Sequence, residues 1–255
     1  MSAVSPALVN SIKELQQLKT LGKFALGGGT NLALRYNHRV SVDIDLFTNE
    51  IIGINGFKEI AEEAIQFYGD NVTGIDYPCK LNDQFIFLRF FIKQEDAFIK
   101  VEVLQNFQRL DDIEVNGSIK LLSTKDIGLL KLMSACNRAS KKDIYDLDFT
   151  TDTILLSELY AHLKVKQGKF NKKEYHTIFD LDKETSPVEQ PELLIAFDQI
   201  RKVSGSRPSH SLDLIQIIEG NKTWNEARYS WLKKVRALYR ELELEYPKPK
   251  GYDLQ

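Results

Sequence analysis

Cysteine is scarce in this sequence, with only Cys79 and Cys136 among 255 residues. A secreted protein stabilised by disulfides normally carries more, so the count favours a reducing compartment, and we expect the protein in the cytoplasm. Neither cysteine has histidines nearby at metal-ligand spacing, which favours ordinary packing roles.

Two further absences narrow the function classes. No apolar run approaches the roughly 20 residues that cross a bilayer, and the N-terminus lacks the basic-then-apolar layout of a signal peptide. We therefore expect no membrane association. The net charge is −2, so no overall basic field indicates nucleic-acid binding, although a local basic patch stays compatible with it.

Familiar phosphate-binding motifs are also missing. The sequence has no Gly-Lys-Ser/Thr P-loop, and a dinucleotide fingerprint would need a glycine where Leu32 stands. A glycosyltransferase with an Asp-x-Asp pair normally has a nucleotide-binding fold upstream, for which residues 1–42 are too few. A haloacid-dehalogenase-type phosphatase would want Thr or Val at Leu46.

A glycine turn followed by two spaced carboxylates is the most informative pattern present. The residue types predict a helix from Thr30 to Tyr36 and a strand from Val40 to Phe47. Because side chains alternate along a strand, Asp43 and Asp45 share one face, about 7 Å apart. Aspartate is a poor strand former, so two on one face need a reason. The residues expected on the core-facing side are Val42, Ile44 and Leu46.

The chemistry of this segment indicates phosphate and a metal ion. Mg²⁺ is usually held by one or two carboxylates together with substrate phosphates. Gly28 and Gly29 let the backbone approach a ligand closely, and a helix beginning at Thr30 presents amide groups that favour anions. A polar strand face and a glycine turn are each common, so the hypothesis depends on their combination.

The segment resembles the signature of the DNA polymerase β-like nucleotidyltransferase superfamily, in which a glycine pair precedes Asp-apolar-Asp-apolar. More narrowly, Gly-Gly-Thr, His38-Arg39, Ser41 and Asp-Ile-Asp-Leu-Phe are similar to the AbiEii toxin group, which includes the MenT toxins. The match is specific over residues 24–48 and looser to about residue 150. The resemblance implies the toxin half of a toxin–antitoxin or abortive-infection system.

A third carboxylate is expected at Glu102. In the strand predicted from Ala97 to Leu104, Lys100 and Glu102 face away from the apolar residues. The plain alternative is a solvated Lys/Glu face. The resemblance favours Glu102 beside Asp43 and Asp45 as metal ligands, because the superfamily places its third carboxylate on such a strand. Many members have Asp there, so a metal ligand and a base on the acceptor hydroxyl both stay open.

Lys131 is a lone cation in an apolar helical segment. It can offset charge on a triphosphate, or its stem can lie on the core with the charge in water. The resemblance gives Asp143 or Asp146 a role beside Lys131 or the metal, without deciding between them. A structural pair between Lys142 and Asp146 is the alternative.

Arg39, just before the acidic strand, either contacts phosphate or a base, or lies in an exposed turn. The expected nucleotide-binding set is then Gly28, Gly29, Thr30, Arg39 and Lys131. The expected catalytic set is Asp43, Asp45, Glu102, Lys131 and Asp146.

The pattern along the chain predicts an α/β (α+β) fold. Gln84 to Lys93 is almost continuously apolar, which predicts an interior strand covered on both faces. The resemblance implies a nucleotidyltransferase-like mixed β-sheet flanked by helices, with a mainly helical C-terminal part. We expect residues 1–150 to form the catalytic domain and residues 151–255 a helical acceptor-binding or accessory domain.

The leading hypothesis is therefore Mg²⁺-dependent transfer of a nucleotide from an NTP, with Mn²⁺ as another candidate ion. The resemblance suggests RNA, such as a tRNA end, or a protein side chain as the acceptor, and a cognate antitoxin as a further partner. The alternative is a non-catalytic module of the same fold that binds a nucleotide or a partner.

Overall fold

A computed structural model describes residues 2–79, 81–94, 97–138, 140–182, 184–198 and 214–247. Helices and strands alternate as far as residue 76, four further strands follow in succession up to residue 121, and the described residues beyond it are mainly helical. The seven α-helices among the described residues are α1 (Pro6–Gln17), α2 (Gly28–Tyr36), α3 (Gly53–Tyr68), α4 (Thr124–Arg138), α5 (Lys141–Thr150), α6 (Leu156–Lys169) and α7 (Trp224–Glu241).

Seven strands form one mixed sheet, which confirms the α/β fold that the sequence predicts. The spatial order is β3-β4-β5-β2-β1-β7-β6. The pairs β2–β5 and β1–β7 are parallel, and the other pairs are antiparallel. The strands are β1 (Ala25–Leu26), β2 (Ile44–Phe47), β3 (Val72–Asp76), β4 (Leu88–Gln94), β5 (Ala97–Leu104), β6 (Glu114–Asn116) and β7 (Ile119–Leu121).

Short 3₁₀ helices connect several of these elements. They span Lys19–Leu21, Gly69–Asn71, Lys173–Tyr175, Ile178–Asp182 and Pro191–Asp198. None of the helices in the described ranges combines the length and apolar character needed to cross a bilayer.

One face of the sheet is buried against α1 and α3. Helix α1 begins at a Ser5 cap, whose hydroxyl accepts the N–H of Leu8, with Pro6 in its first turn. Its inward stripe shares a core with the inward residues of the sheet, which alternate along each strand. Buried members of this core include Ile12, Leu15, Phe57, Ile60, Ile44, Leu46, Phe90 and Val101.

A second apolar core lies among the C-terminal helices. It includes Leu132 from α4, Leu147 from α5, Leu159 from α6 and Trp231 from α7, all fully buried. The two cores meet along α4, where Ile127 belongs to the first and Leu129 is counted in the second. Helix α4 therefore connects the sheet to the helical part.

The predicted strand over Val40 to Phe47 is too long, and this part of the prediction is wrong. Strand β2 begins only at Ile44, and Val42 is 60% exposed instead of facing the core. The reason is competition for backbone partners: the N–H of Val40 donates to the carbonyl of Gln216, and that of Ser41 to the carbonyl of Ala3. These bonds hold the segment away from the sheet.

The predicted strand covered on both faces is also wrong. Strand β4 begins at Leu88 and alternates, with Phe90 buried, Phe91 half-buried and Lys93 exposed. The strand is interior in the sheet, but α1 and α3 cover only one of its faces. Its near-continuous apolar sequence therefore leaves apolar side chains on the other, more open face.

Candidate active site

The glycine turn places the start of α2 directly beneath Asp45. Helix α2 begins at Gly28, two residues earlier than predicted, and Gly28 has φ of +61°. A β-carbon added to Gly28 would lie 1.9 Å from Oδ2 of Asp45, so only glycine fits here. The N–H of Gly27 donates to the carbonyl of Asp45 at 2.8 Å. The carboxylate therefore lies beside the free amides of a helix N-terminus.

Asp45 and Glu102 are direct neighbours across two parallel strands. They occupy matching positions in the β2–β5 register, so their side chains share a face. Asp43 lies just before β2, and its side chain is 47% exposed. The three predicted carboxylates are thus brought to one patch of the sheet, although only two of them are in strands.

Thr30 fixes the backbone that carries Asp43. Its buried hydroxyl donates to the carbonyl of Asp43 at 2.5 Å and shares a 2.8 Å hydrogen bond with the hydroxyl of Ser41. The side chain is therefore occupied, and a phosphate contact from Thr30 would have to come from its backbone N–H.

Burial and like charge act together on Asp45. Burial raises the pKa of its carboxyl to about 6, and the negative charge of Glu102 adds to the effect. Burial also acts to raise the pKa of Glu102, but the nearby cations Lys100 and Arg89 outweigh it and hold that pKa below its usual value. Two neighbouring acids are therefore shifted in opposite directions, an arrangement that is common at functional sites.

Two cations at this patch were missed by the sequence reasoning. Lys100 lies 3.2 Å from Oε2 of Glu102 and 3.7 Å from Oδ2 of Asp43. The guanidinium of Arg89 contacts Oε1 of Glu102 at 2.6 and 2.8 Å. For Lys100, the sequence predicted only that it shares a strand face with Glu102. Arg89 gave no signal, because its position depends on the β4–β5 register.

A second, buried charge network is centred on Asp146. Arg39 donates to both oxygens of Asp146, at 2.6 and 2.7 Å. Lys131 lies 2.9 Å from Oδ2 of Asp146 and 2.6 Å from Oδ1 of Asp143. Nε2 of His38 lies 2.8 Å from Oδ1 of Asp146. Asp143 and Asp146, the two candidates that the sequence leaves open, both contact Lys131.

The electrostatics of this network are internally compensated. Burial acts to raise the pKa of Asp146, but Arg39, Lys131 and the hydrogen bond from His38 hold it well below its usual value. Lys131 is buried and paired, so the alternative of a lysine with its charge in water is wrong. Arg39 is 5% exposed and donates to Asp146, so the alternative of an exposed turn is also wrong.

The two charge groups lie next to each other. A β-carbon on Gly29 would lie 2.3 Å from the guanidinium of Arg39. The positive charge of Lys131 reaches Asp45 and acts to lower its pKa. The first turn of α2 therefore lies between the acids Asp43, Asp45 and Glu102 on one side and the Asp146 network on the other.

Asp43, Asp45 and Glu102 form what we call the acidic patch. It carries oxygen ligands that suit a hard cation, but its carboxylates do not enclose a binding site. Carboxylate oxygens are the ligands that Mg²⁺ prefers. Burial is the main cause of the raised pKa of Asp45, and the negative charges of Glu102 and Asp43 add a smaller part that a bound cation would offset. Within the described ranges, no three acidic, histidine or cysteine side chains are grouped tightly enough to hold a metal ion. Lys100 and Arg89 presently share the carboxylate of Glu102.

A cavity of about 210 Å³ lies elsewhere, between α4 and α6. Its lining includes Phe107, Met133, Lys166 and Phe170. None of the acids described above contributes to it, so it is separate from the acidic patch.

Residues 14–202 match the family described as nucleotidyl transferase AbiEii toxin, type IV toxin–antitoxin system. Uncharacterized protein aq_aa25 of Aquifex aeolicus (strain VF5) is 30% identical over 139 residues, which is 54% of this chain and 63% of that relative. The match therefore spans less than two thirds of the relative's length.

Among solved structures, the fold is similar to that of MenT4, a nucleotidyltransferase toxin from Mycobacterium tuberculosis H37Rv. The TM-score is 0.52 at 17% identity, and the alignment covers 92% of this chain and 82% of MenT4. At this identity the likeness supports the fold alone.

Proposed function

Because this chain belongs to the AbiEii nucleotidyltransferase toxin family, we propose that it transfers a nucleotide from an NTP to an acceptor hydroxyl. The observation that carries the proposal is the pairing of Asp45 with Glu102 directly over the N-terminus of α2. Such a helix start favours phosphate groups, and the acids beside it favour the cation that accompanies a triphosphate.

We assign cation binding to Asp43, Asp45 and Glu102, with Mg²⁺ or Mn²⁺ as the ion. When bound, such an ion neutralises charge on the triphosphate and makes the acceptor hydroxyl more acidic. The lowered pKa of Glu102 favours an ionised ligand over a proton acceptor. For Glu102 to serve as a ligand, Lys100 and Arg89 must release part of its carboxylate.

The remaining residues position and neutralise the nucleotide. Backbone amides at Gly28, Gly29 and Thr30 are free to donate to phosphate oxygens at the start of α2. The positive charge of Lys131 reaches Asp45. It can therefore offset negative charge on a phosphate bound beside Asp45. Asp146 is buried beneath Arg39 and Lys131, so its proposed role is to hold these cations in place.

The acceptor hydroxyl would attack the α-phosphorus in line, and pyrophosphate would leave. We propose residues 1–150 as the catalytic part and residues 151–255 as the part that presents the acceptor. RNA, such as a tRNA end, and a protein side chain are the candidate acceptors. A cognate antitoxin is the proposed partner, because the family is described as part of a toxin–antitoxin system.

Paired radiolabels test the reaction type. Purified protein is incubated with Mg²⁺ and bacterial RNA or protein, using each NTP labelled on either the α- or the γ-phosphate. Nucleotidyl transfer moves α-label but not γ-label to the acceptor. Asp43→Asn and Asp45→Asn should abolish incorporation. Incorporation of γ-label, or α-labelling by the two variants at the wild-type level, would refute the assignment.

The alternative of a non-catalytic binding module is favoured by one observation: Lys100 and Arg89 already neutralise Glu102. The same experiment separates the two functions. Binding of Mg²⁺·NTP measured by calorimetry, with no α-label transferred to RNA or protein by the wild type, would support the binding module.

A further inference from the structure

The face of the sheet that carries Glu102 continues beyond the acids as an open surface on β4 and β5. Phe98 and Lys100 precede Glu102 at alternate positions, so all three side chains share this face. In the β4–β5 register, Lys93 lies opposite Phe98, and Phe91 lies opposite Lys100. Aromatic and cationic side chains therefore alternate over the two strands.

These side chains are accessible. Phe98 is 60% exposed, Lys93 is exposed, and the side chain of Lys100 is 32% exposed. Phe91 is half-buried because its ring lies over Gly74, which has φ of +61° and offers no side chain of its own. We call the set Phe91, Lys93, Phe98 and Lys100 the aromatic platform.

The geometry of the aromatic platform suits stacked bases. Phe91 and Phe98 are diagonal neighbours across antiparallel strands. Their Cα atoms are therefore expected to lie about 7–8 Å apart. Phe98 precedes Glu102 by four residues, or about 13 Å along β5. A sheet face with one exposed and one half-buried ring, flanked by cations, can stack bases while the cations contact phosphates.

We propose that the aromatic platform binds an unpaired single strand of RNA and directs its end toward the acidic patch. Direction toward the acids depends on the proposed nucleotidyl transfer, but RNA binding itself does not. Charge favours RNA over a protein partner, because each ring has a lysine as its cross-strand neighbour. Exposed bases are required for stacking, so a paired duplex is disfavoured.

Binding is tested with a fluorescein-labelled 12-nucleotide single-stranded RNA of mixed sequence, by anisotropy, without NTP or metal. Base–aromatic stacking predicts that Phe98→Ala weakens binding about 5- to 150-fold. Phe67→Ala is the matched control, because Phe67 is 54% exposed on α3, which covers the opposite face. It should leave affinity unchanged. Lys93→Gln should reduce the salt dependence of binding by about one phosphate contact.

Because Phe98 is exposed, Phe98→Ala should fold as the wild type does, and an unchanged thermal unfolding transition is the check. Equal RNA affinity of wild type, Phe98→Ala and Phe67→Ala would overturn the proposal. So would tighter binding of the same RNA after it is annealed to its complement, or loss of protein labelling in Phe98→Ala without loss of RNA affinity. Asp45→Asn should keep RNA binding, so failure of catalysis and failure of the platform are distinguishable.

Discussion

Replacing Asp45 by asparagine should stabilise the protein while it abolishes the proposed transfer. The carboxyl of Asp45 has a pKa of about 6, against an ordinary value of 3.8. The difference is about 2 pH units, and each unit corresponds to 1.36 kcal/mol. The charged form therefore costs the fold up to about 3 kcal/mol above pH 6. Asparagine keeps the shape and removes the charge.

The sign of the pH dependence makes the prediction specific. Between pH 3.8 and 6 the folded protein holds a proton at Asp45 that the unfolded chain has released. The contribution of Asp45 to wild-type stability therefore falls as pH rises through this window. The advantage of Asp45→Asn should be about 1–3 kcal/mol at pH 7.5, after allowance for partial solvent screening, and should nearly disappear at pH 4.

The measurement is urea or thermal unfolding in EDTA, so that no divalent ion stabilises the wild type. An advantage of 1–3 kcal/mol raises the melting temperature by several degrees for a chain of this size. Glu102→Gln is the matched control on the neighbouring strand. Because Arg89 and Lys100 stabilise the charged Glu102, this change should lower stability by about 1 kcal/mol. No gain in Asp45→Asn, or a gain independent of pH, would refute the reasoning.

Two further predictions concern the same site. Asp146→Asn leaves Arg39 and Lys131 buried with one carboxylate, so unfolding free energy should fall by about 3–5 kcal/mol, whereas Asp143→Asn should cost clearly less; equal losses in the two variants would argue against Asp146 as the centre. Gly28→Ala should displace the carboxylate of Asp45 and abolish α-label transfer. Gly117→Ala, with the same φ of +61° but open space around it, should show only the backbone cost of about 1–2 kcal/mol and retain transfer.

The local parts of the site were predictable from the sequence. The glycine turn, the two aspartates and the alternation over Ala97 to Leu104 are all short-range patterns, and the structure places β5 over the predicted range. The mixed sheet was also predicted correctly. The strand start at Ile44 was not, because the competing partner of Val40 is Gln216, far away in the chain.

The charge partners were the unpredictable part. Arg89 meets Glu102 only through the β4–β5 register, and Arg39 meets Asp146 across 107 positions of sequence. Single-sequence patterns report periodicity and spacing, whereas these pairings depend on how strands and helices assemble. The same reason explains why the open face of β4 was read as covered: composition shows apolarity, not which face a helix occupies.

The long sequence separation of these pairs has a consequence for synthesis. Strand β2 pairs with β5, and β1 pairs with β7. The central strands of the sheet therefore come from residues 25–47 and 97–121. Arg39 and Lys131 acquire their shared counterion only when Asp146 is available. Such non-local contacts form late and slowly. Asp43 and Asp45 are therefore synthesised about a hundred codons before Asp146, and the charged groups around them can come together only after that stretch has been translated.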